Sequence, residues 1–225
     1  MGHNSKLRIM INAAMTVDGK IATICGDAKI SSRQDLRRVH KLRASVDGIL
    51  VGISTVIVDD PLLTVRLIKR KELEDPARII VDSEGRIPIN SKILRTASRV
   101  TTIIVVSERA STYNIQKIRS MGAIAITAGK RSVNLREAIL LLEKMGFRKI
   151  LAEGGGELNW SLFKLGIVEE LIVTISPKLV GGRSATTLVE GEGYKKISEA
   201  INLKLNKVLQ QDDGELVLFY RVCTL

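Results

Sequence analysis

Short apolar runs alternate with amphipathic segments along most of this 225-residue chain. The runs have the length and composition of β-strands, and they cover residues 8–14, 48–52, 78–82, 101–107, 123–127, 149–153 and 171–175. Apolar side chains recur at helical spacing between them, in residues 31–46, 111–121, 134–145 and 156–165. Strands that alternate with helices predict an α/β fold, with a mostly parallel central sheet flanked by helices.

The C-terminal part of the chain departs from this alternation. Two strand-like runs, around 203–209 and at 215–222, are separated by the polar segment QQDDG. This pattern is typical of a hairpin turn and predicts two antiparallel strands at one edge of the sheet. No linker or low-complexity stretch divides the chain, so we expect residues 1–225 to form a single domain. The buried face of the first helix is predicted to comprise Leu36, Val39, Leu42 and Val46.

The formal net charge is +11, which favours a polyanionic partner such as nucleic acid, an anionic membrane surface or a phosphorylated small molecule. Aromatic residues make up only 3% of the chain, which argues against base stacking on single strands. The apolar runs are too short to cross a bilayer, and the polar N-terminus does not resemble a secretion signal. We therefore expect a cytoplasmic protein that does not bind membranes. Cys25 and Cys223 have no metal-binding spacing, so we expect no metal site.

The stretch LAEGGGELNWSLF, residues 151–163, places three successive glycines between a predicted strand and a predicted helix. A helix N-terminus presents unpaired N–H groups and a partial positive charge. Gly154, Gly155 and Gly156 would let an anion approach that backbone without meeting a Cβ atom, directly after the carboxylate of Glu153. This arrangement favours a phosphate-binding loop. The alternative is a tight strand–helix connection with no ligand.

Two other stretches carry polar side chains at predicted strand ends. In VGISTVIVDDPLLTVR, residues 51–66, Thr55 and Asp59 follow a buried strand, where α/β sheets bind ligands. The alternative there is that Ser54 and Thr55 only cap a short helix and that DDP forms a turn. In NAAMTVDGKIAT, Lys20 follows a turn, from which its side chain either reaches a cleft or is simply solvated.

These stretches, together with RIIVDSEGRIP and ISPKLVGG, occur in the order found in the riboflavin-pathway reductases. From about Arg8 to Tyr220 the chain resembles that family, and the pattern G-x-x-T-V-x-x-D-D-P-x-L-T is a specific feature of it. The resemblance implies a dihydrofolate-reductase-like fold, NADPH as cofactor and a homodimer. The zinc-deaminase motifs H-x-E and P-C-x-x-C, which bifunctional members carry, do not occur here, so the resemblance implies the reductase activity alone.

The resemblance also implies a reaction and a set of site residues. The reaction is reduction of the ribosylamino group of a pyrimidinone 5′-phosphate to a ribitylamino group, by hydride from the nicotinamide. The implied catalytic residues are Lys20, Glu153 and Asp59. Implied cofactor contacts are Thr55, Asp59, Ser83, Gly154, Gly155, Gly156 and Glu157, and implied substrate contacts are Arg43, Leu63, Arg66 and Glu153. Ala28 stands where family members often have serine, and the segment 26–31 has no tryptophan.

Two other functions remain as alternatives. One is a different NADPH-dependent reductase on the same fold, acting on a pterin-like ring. The other is a nucleic-acid-binding protein that uses RRVHKLR, residues 37–43. That run fits the outer face of an amphipathic helix better, so we expect no nucleic-acid partner.

Overall fold

A computed structural model describes residues 6–69 and 75–223. The strands in this part of the chain are β1 (Arg8–Thr16), β2 (Gly48–Gly52), β3 (Ala77–Val81), β4 (Thr102–Val106), β5 (Ile124–Thr127), β6 (Lys149–Ala152), β7 (Val168–Ser176), β8 (Leu203–Gln210) and β9 (Leu216–Val222). The helices are α1 (Arg33–Arg43), α2 (Ile53–Asp59), α3 (Lys92–Arg95), α4 (Thr112–Ser120), α5 (Leu135–Lys144) and α6 (Gly156–Lys164).

The chain divides into two compact units. The first contains the described residues up to Arg8 and those from His40 to Leu151, whereas the second contains Ile9–Val39 and the described residues from Ala152 onward. The expectation that residues 1–225 form one domain stays a prediction.

Strands in the first unit follow the order β5-β4-β3-β2-β6. Neighbouring strands from β2 to β5 are parallel, and the β2–β3 register runs from Gly48 opposite Ala77 to Gly52 opposite Val81. The central strands are buried on both faces, as expected for parallel strands covered by helices. Their carboxyl ends lead into α2 after β2 and into the VDSEGR segment after β3.

The second unit contains β1, β7, β9 and β8 in that order. β1 and β7 are parallel and end side by side, with Thr16 opposite Ser176. β9 pairs antiparallel with both β7 and β8, which confirms the predicted C-terminal hairpin. Because β1 and β7 end together, the turns that follow them lie at the same edge of this unit.

Three details of the helices differ from the sequence-based expectation. Leu36 is 41% exposed, and the buried face of α1 includes Asp35 instead, because its carboxylate accepts hydrogen bonds from Arg38 Nε and Thr174 Oγ1. α3 was not foreseen, since it comprises only four residues. The cap residue of α2 is Gly52, with no side-chain cap bond, so the interpretation of Ser54 and Thr55 as helix caps is wrong.

Within the described residues, no helix has the length and apolar content needed to cross a membrane.

Candidate active site

The turn that follows β1 is tied to the turn that follows β7 through Asp18. The Thr16 hydroxyl donates to Asp18 Oδ1 at 2.6 Å, and the backbone N–H groups of Gly181 and Val180 donate to the same carboxylate at 2.7 and 3.2 Å. These bonds, chiefly the one from Thr16 and then the one from Gly181, lower the pKa of Asp18 to about 2. Asp18 therefore stays ionised at neutral pH and links the two turns.

Lys20 is fixed at its backbone and at its ammonium group. Its N–H donates to Thr16 Oγ1 at 3.0 Å, and its carbonyl accepts from the Thr16 N–H at 2.9 Å. The half-buried side chain extends to the carbonyl of Ala185, with Nζ and the oxygen 3.0 Å apart. An ammonium carries three N–H donors, and this bond uses one of them.

The glycine loop joins β6 to α6. Glu153 is half-buried directly after β6, and Gly154 has φ +96°, a left-handed conformation that favours glycine. Gly155 is the N-cap residue of α6. Because glycine has no side chain, the cap residue leaves the first N–H groups of the helix without a side-chain cap bond. Glu157 lies in the first turn with its side chain exposed. This N-terminus has the features of an anion-binding site.

Gly156 is packed closely against Thr187 and Glu190. A Cβ atom at Gly156 would lie 2.7 Å from both the Thr187 carbonyl oxygen and Glu190 Cγ. The Gly156 carbonyl also accepts a hydrogen bond from the Glu190 N–H at 3.2 Å. The third glycine is therefore required by packing, in addition to any role in ligand binding.

In the first unit, α2 carries Thr55 and Asp59 one helical turn apart. Thr55 is half-buried, and Asp59 is exposed at the end of the helix. The chain then turns sharply at Asp60, which has φ 40° and whose Oδ1 accepts from the Lys92 N–H at 2.8 Å. Asp60 thus anchors the end of α2, and that fixes the backbone that carries Asp59.

Arg43 and Arg66 both bind to Thr64 in the first unit. Arg43 Nη1 donates to the Thr64 carbonyl at 3.1 Å, and Arg66 Nη1 donates to Thr64 Oγ1 at 2.7 Å. Burial, followed by the positive charge of Arg43, lowers the pKa of Arg66. Two guanidinium groups that bind to the same threonine are suited to a dianionic ligand. Leu63, adjacent in sequence, is buried with φ 48°.

His40 supports this arginine pair, a role that sequence analysis missed. Its Nδ1 accepts from the backbone N–H groups of Arg66 and Leu67 at 2.8 and 3.4 Å, and its side chain is buried. No motif indicated this contact, because the two segments are 26 residues apart and meet only in the folded chain.

Ser83 connects the segments that follow three parallel strands. Its carbonyl accepts from both the N–H and the hydroxyl of Ser107, after β4, at 3.0 and 2.7 Å. Its own Oγ accepts from the Val133 N–H, after β5, at 3.0 Å. The hydroxyl hydrogen of Ser83 still has the capacity to donate to a ligand.

The predicted site residues therefore form two sets, one in each unit. Arg43, Leu63 and Arg66 lie around Thr64 in the first unit, which also holds Thr55, Asp59 and Ser83. Lys20, Glu153 and the glycine loop lie in the second unit. Their catalytic and binding roles stay predictions. No cluster of three or more metal-ligating side chains occurs among the described residues, and Cys25 and Cys223 are both exposed thiols.

Sequence comparisons with known proteins identify related reductases. The family model described as the RibD C-terminal domain matches residues 8–217. A 2,5-diamino-6-ribosylamino-4(3H)-pyrimidinone 5′-phosphate reductase from Methanothermobacter thermautotrophicus is 43% identical over 199 residues, which cover 88% of this chain and 91% of that protein.

Solved structures show the same fold. Acinetobacter baumannii RibD matches with a TM-score of 0.82 at 23% identity, covering 98% of this chain and 59% of that one. Dihydrofolate reductase from Enterococcus faecalis, complexed with NADP(H), matches with a TM-score of 0.51 at 12% identity over 96% of each chain. The predicted dihydrofolate-reductase-like fold, with mainly parallel strands and a C-terminal antiparallel hairpin, is confirmed.

Proposed function

The chain belongs to the RibD C-terminal domain family of riboflavin-biosynthesis reductases, and we propose from this membership that it reduces 2,5-diamino-6-ribosylamino-4(3H)-pyrimidinone 5′-phosphate with NADPH. The product is the corresponding ribitylamino compound. The chain is thus an oxidoreductase, and the substrate and the cofactor are the parts of the proposal that need direct tests.

The main structural support for the proposal is that each unit contains a group of residues suited to binding an anion. The α6 N-terminus in the second unit has no side-chain cap at Gly155, and Arg43 and Arg66 bind to one threonine in the first unit. The proposed reaction needs two phosphorylated molecules, the cofactor and the substrate, and each group of residues would bind one of them. The net charge of +11 favours both ligands through long-range attraction.

The residues of the glycine loop fit NADPH. Gly154 and Gly155 carry no side chain ahead of the first N–H groups of α6, where a diphosphate would bind, whereas Gly156 would contribute through its backbone because its Cβ position is filled by Thr187 and Glu190. Thr55, Asp59, Ser83 and Glu157 would supply further polar contacts. When bound, the nicotinamide supplies the hydride, and all other steps depend on the side chains of this chain.

Arg43 and Arg66 are assigned to the 5′-phosphate of the substrate. Each guanidinium already donates to Thr64, which limits its rotation and prepares it for a planar, charge-assisted contact. Leu63 is the remaining substrate contact that the resemblance implies, and its side chain is buried in the core of the first unit.

Lys20 and Glu153 are assigned to the reacting ribose. The substrate must open from a ribosylamine to an imine, during which negative charge develops on the ring oxygen and positive charge on the nitrogen. A hydrogen bond from the Lys20 ammonium would stabilise the oxygen, and the Glu153 carboxylate would stabilise the imine nitrogen. Asp59 is a further candidate for proton transfer.

Assembly and location belong to the same proposal. The family resemblance supports a homodimer with a single reductase domain, and the sequence arguments given above support a cytoplasmic location without a nucleic-acid or membrane partner. A different activity on the same fold, reduction of a pterin-like ring, is the second candidate, because the fold is shared with dihydrofolate reductase.

The direct test is incubation of the purified protein with NADPH and each candidate substrate, following absorbance of the reduced nicotinamide. We expect oxidation with the diamino-ribosylamino-pyrimidinone phosphate and none with dihydropterins. Preferential turnover of the already deaminated pyrimidine would overturn the proposed substrate but keep the reductase class. Turnover of a dihydropterin alone would overturn the proposed function.

A further inference from the structure

Residues 185–190, here called the bridging segment, bind to the turn that carries Lys20. Lys20 Nζ donates to the Ala185 carbonyl at 3.0 Å, and Lys20 pairs with Thr187 in an isolated antiparallel bridge. The Ile21 N–H donates to the Thr186 carbonyl at 2.9 Å. The position of the Lys20 ammonium therefore depends directly on the position of this segment.

The opposite end of the bridging segment binds to the first turn of α6. The Glu190 N–H donates to the Gly156 carbonyl at 3.2 Å, and Asn159 Nδ2 donates to the Leu188 carbonyl at 2.8 Å. Both partners belong to the helix that begins in the glycine loop. The segment thus connects Lys20 with the predicted cofactor loop inside one unit.

Asn159 is an unusual residue for its surroundings. Its side chain is fully buried, and its neighbours in sequence, Leu158 and Trp160, are buried as well. Its Oδ1 has no hydrogen-bond partner in the part of the chain that the structure describes, and leaving a buried polar atom unsatisfied destabilises a fold. A leucine, which has the same number of side-chain heavy atoms, would avoid that cost. An amide at this position is therefore explained by its bond to Leu188, not by packing.

We propose that Asn159 is a positioning residue for the reductase reaction: through the Leu188 carbonyl it fixes the bridging segment and with it the Lys20 ammonium relative to the glycine loop. This inference rests on the proposed function of Lys20. If the bond from Asn159 to the Leu188 carbonyl had only a structural role, its loss would lower stability, and its effect on kcat would not depend on Lys20.

A double-mutant cycle tests the link. Asn159→Leu keeps the branching and the number of side-chain heavy atoms and removes the donor, and it is compared in the wild-type and Lys20→Met backgrounds at saturating NADPH. We expect kcat to fall roughly 10- to 100-fold in the wild-type background, because small misplacements of a catalytic group have effects of that size. In the Lys20→Met background the further loss should be under about threefold, since the dependent group is already removed.

Equal fold losses in both backgrounds, or an unchanged kcat in the wild-type background, would overturn the inference. Asn159→Ala serves as a second variant if Asn159→Leu does not fold. Ser111→Ala is the stability control, because it removes the side-chain cap of α4 in the other unit and so destabilises the fold. This control should lower the melting temperature and leave kcat unchanged.

A measurement without substrate separates this inference from the proposed function. Amide hydrogen exchange should become faster at Ile21 and Leu188 in Asn159→Leu, because their bonds to Thr186 and Gly19 depend on the segment. Exchange in α4 should not change. Unaltered exchange at Ile21 and Leu188 would disprove the link even if the enzyme reduces its substrate, whereas altered exchange in a protein that does not reduce it would refute only the proposed function.

Discussion

Gly156→Ala is the substitution whose effect follows most directly from the structure. The added Cβ would lie 2.7 Å from the Thr187 carbonyl oxygen and from Glu190 Cγ, whereas ordinary contacts begin at 3.4 Å, so each neighbour must move by about 0.7 Å. Glu190 Cγ belongs to a flexible side chain, but the Thr187 oxygen belongs to backbone that pairs with Lys20. The displacement therefore reaches the Lys20 turn.

The expected change in stability is moderate. Overpacking costs about 1–3 kcal/mol, and replacing a helical glycine by alanine returns about 1 kcal/mol. The net loss is up to about 2 kcal/mol, which lowers the melting temperature by up to about 8 °C in a protein of this size. We expect a larger effect on activity, a fall in kcat of about tenfold or more, because Lys20 is misplaced.

Thermal unfolding and steady-state kinetics at saturating NADPH measure the two effects. Gly146→Ala is the matched control, since Gly146 has φ +99°, no atom lies within 4 Å of its Cβ position, and the left-handed conformation costs about 1–2 kcal/mol. The control should lose similar stability and keep its kcat. If Gly156→Ala keeps wild-type kcat while its melting temperature falls like that of the control, the coupling between Thr187 and Lys20 is refuted.

Four further substitutions test the other parts of the site. Glu153→Gln should lower kcat roughly 100-fold with little change in NADPH affinity, measured by steady-state kinetics and a separate cofactor titration; near-normal kcat would contradict a catalytic carboxylate. Gly155→Val should weaken NADPH binding in a titration while the circular dichroism spectrum stays native; an unchanged Kd would mean that the glycines only form a turn. Arg66→Ala should raise the substrate KM about tenfold or more, with NADPH affinity as the control, and an unchanged KM would remove it from the phosphate site. The pKa of Asp18 is lowered to about 2, so ionised Asp18 stabilises the fold fully above its unfolded pKa near 4, and this stabilisation is lost as pH falls through about 2. The difference in melting temperature between wild type and Asp18→Asn should therefore shrink from pH 5 to pH 2. A constant difference would contradict this role of Asp18.

Local patterns were sufficient to predict most of the fold. Strands such as β2 and β4 are short, apolar and bounded by turn residues, and their observed limits differ from the expected ones by at most one residue. Helix faces were harder to predict, because burial depends on partners distant in sequence. Asp35 is buried in place of Leu36 only because Arg38 and Thr174 satisfy its charge in the folded unit.

The candidate site shows the same limit. The glycine loop and the DGK turn were found from composition and spacing, because each is a continuous stretch of sequence. The supporting contacts were not found, since Asn159 with Leu188 and His40 with Arg66 join residues 29 and 26 positions apart. A single asparagine or histidine within a helix carries no local signal of such a contact.

Hydride transfer from NADPH to the ribose carbon of the substrate can be followed by isotope transfer. NADPH deuterated at both C4 positions is incubated with the protein and the ribosylamino-pyrimidinone phosphate, and the product is analysed by mass spectrometry and NMR. We expect one deuterium atom in each product molecule, located at C1′ of a ribityl chain. Deuterium in the pyrimidine ring, or a product without deuterium, would contradict it.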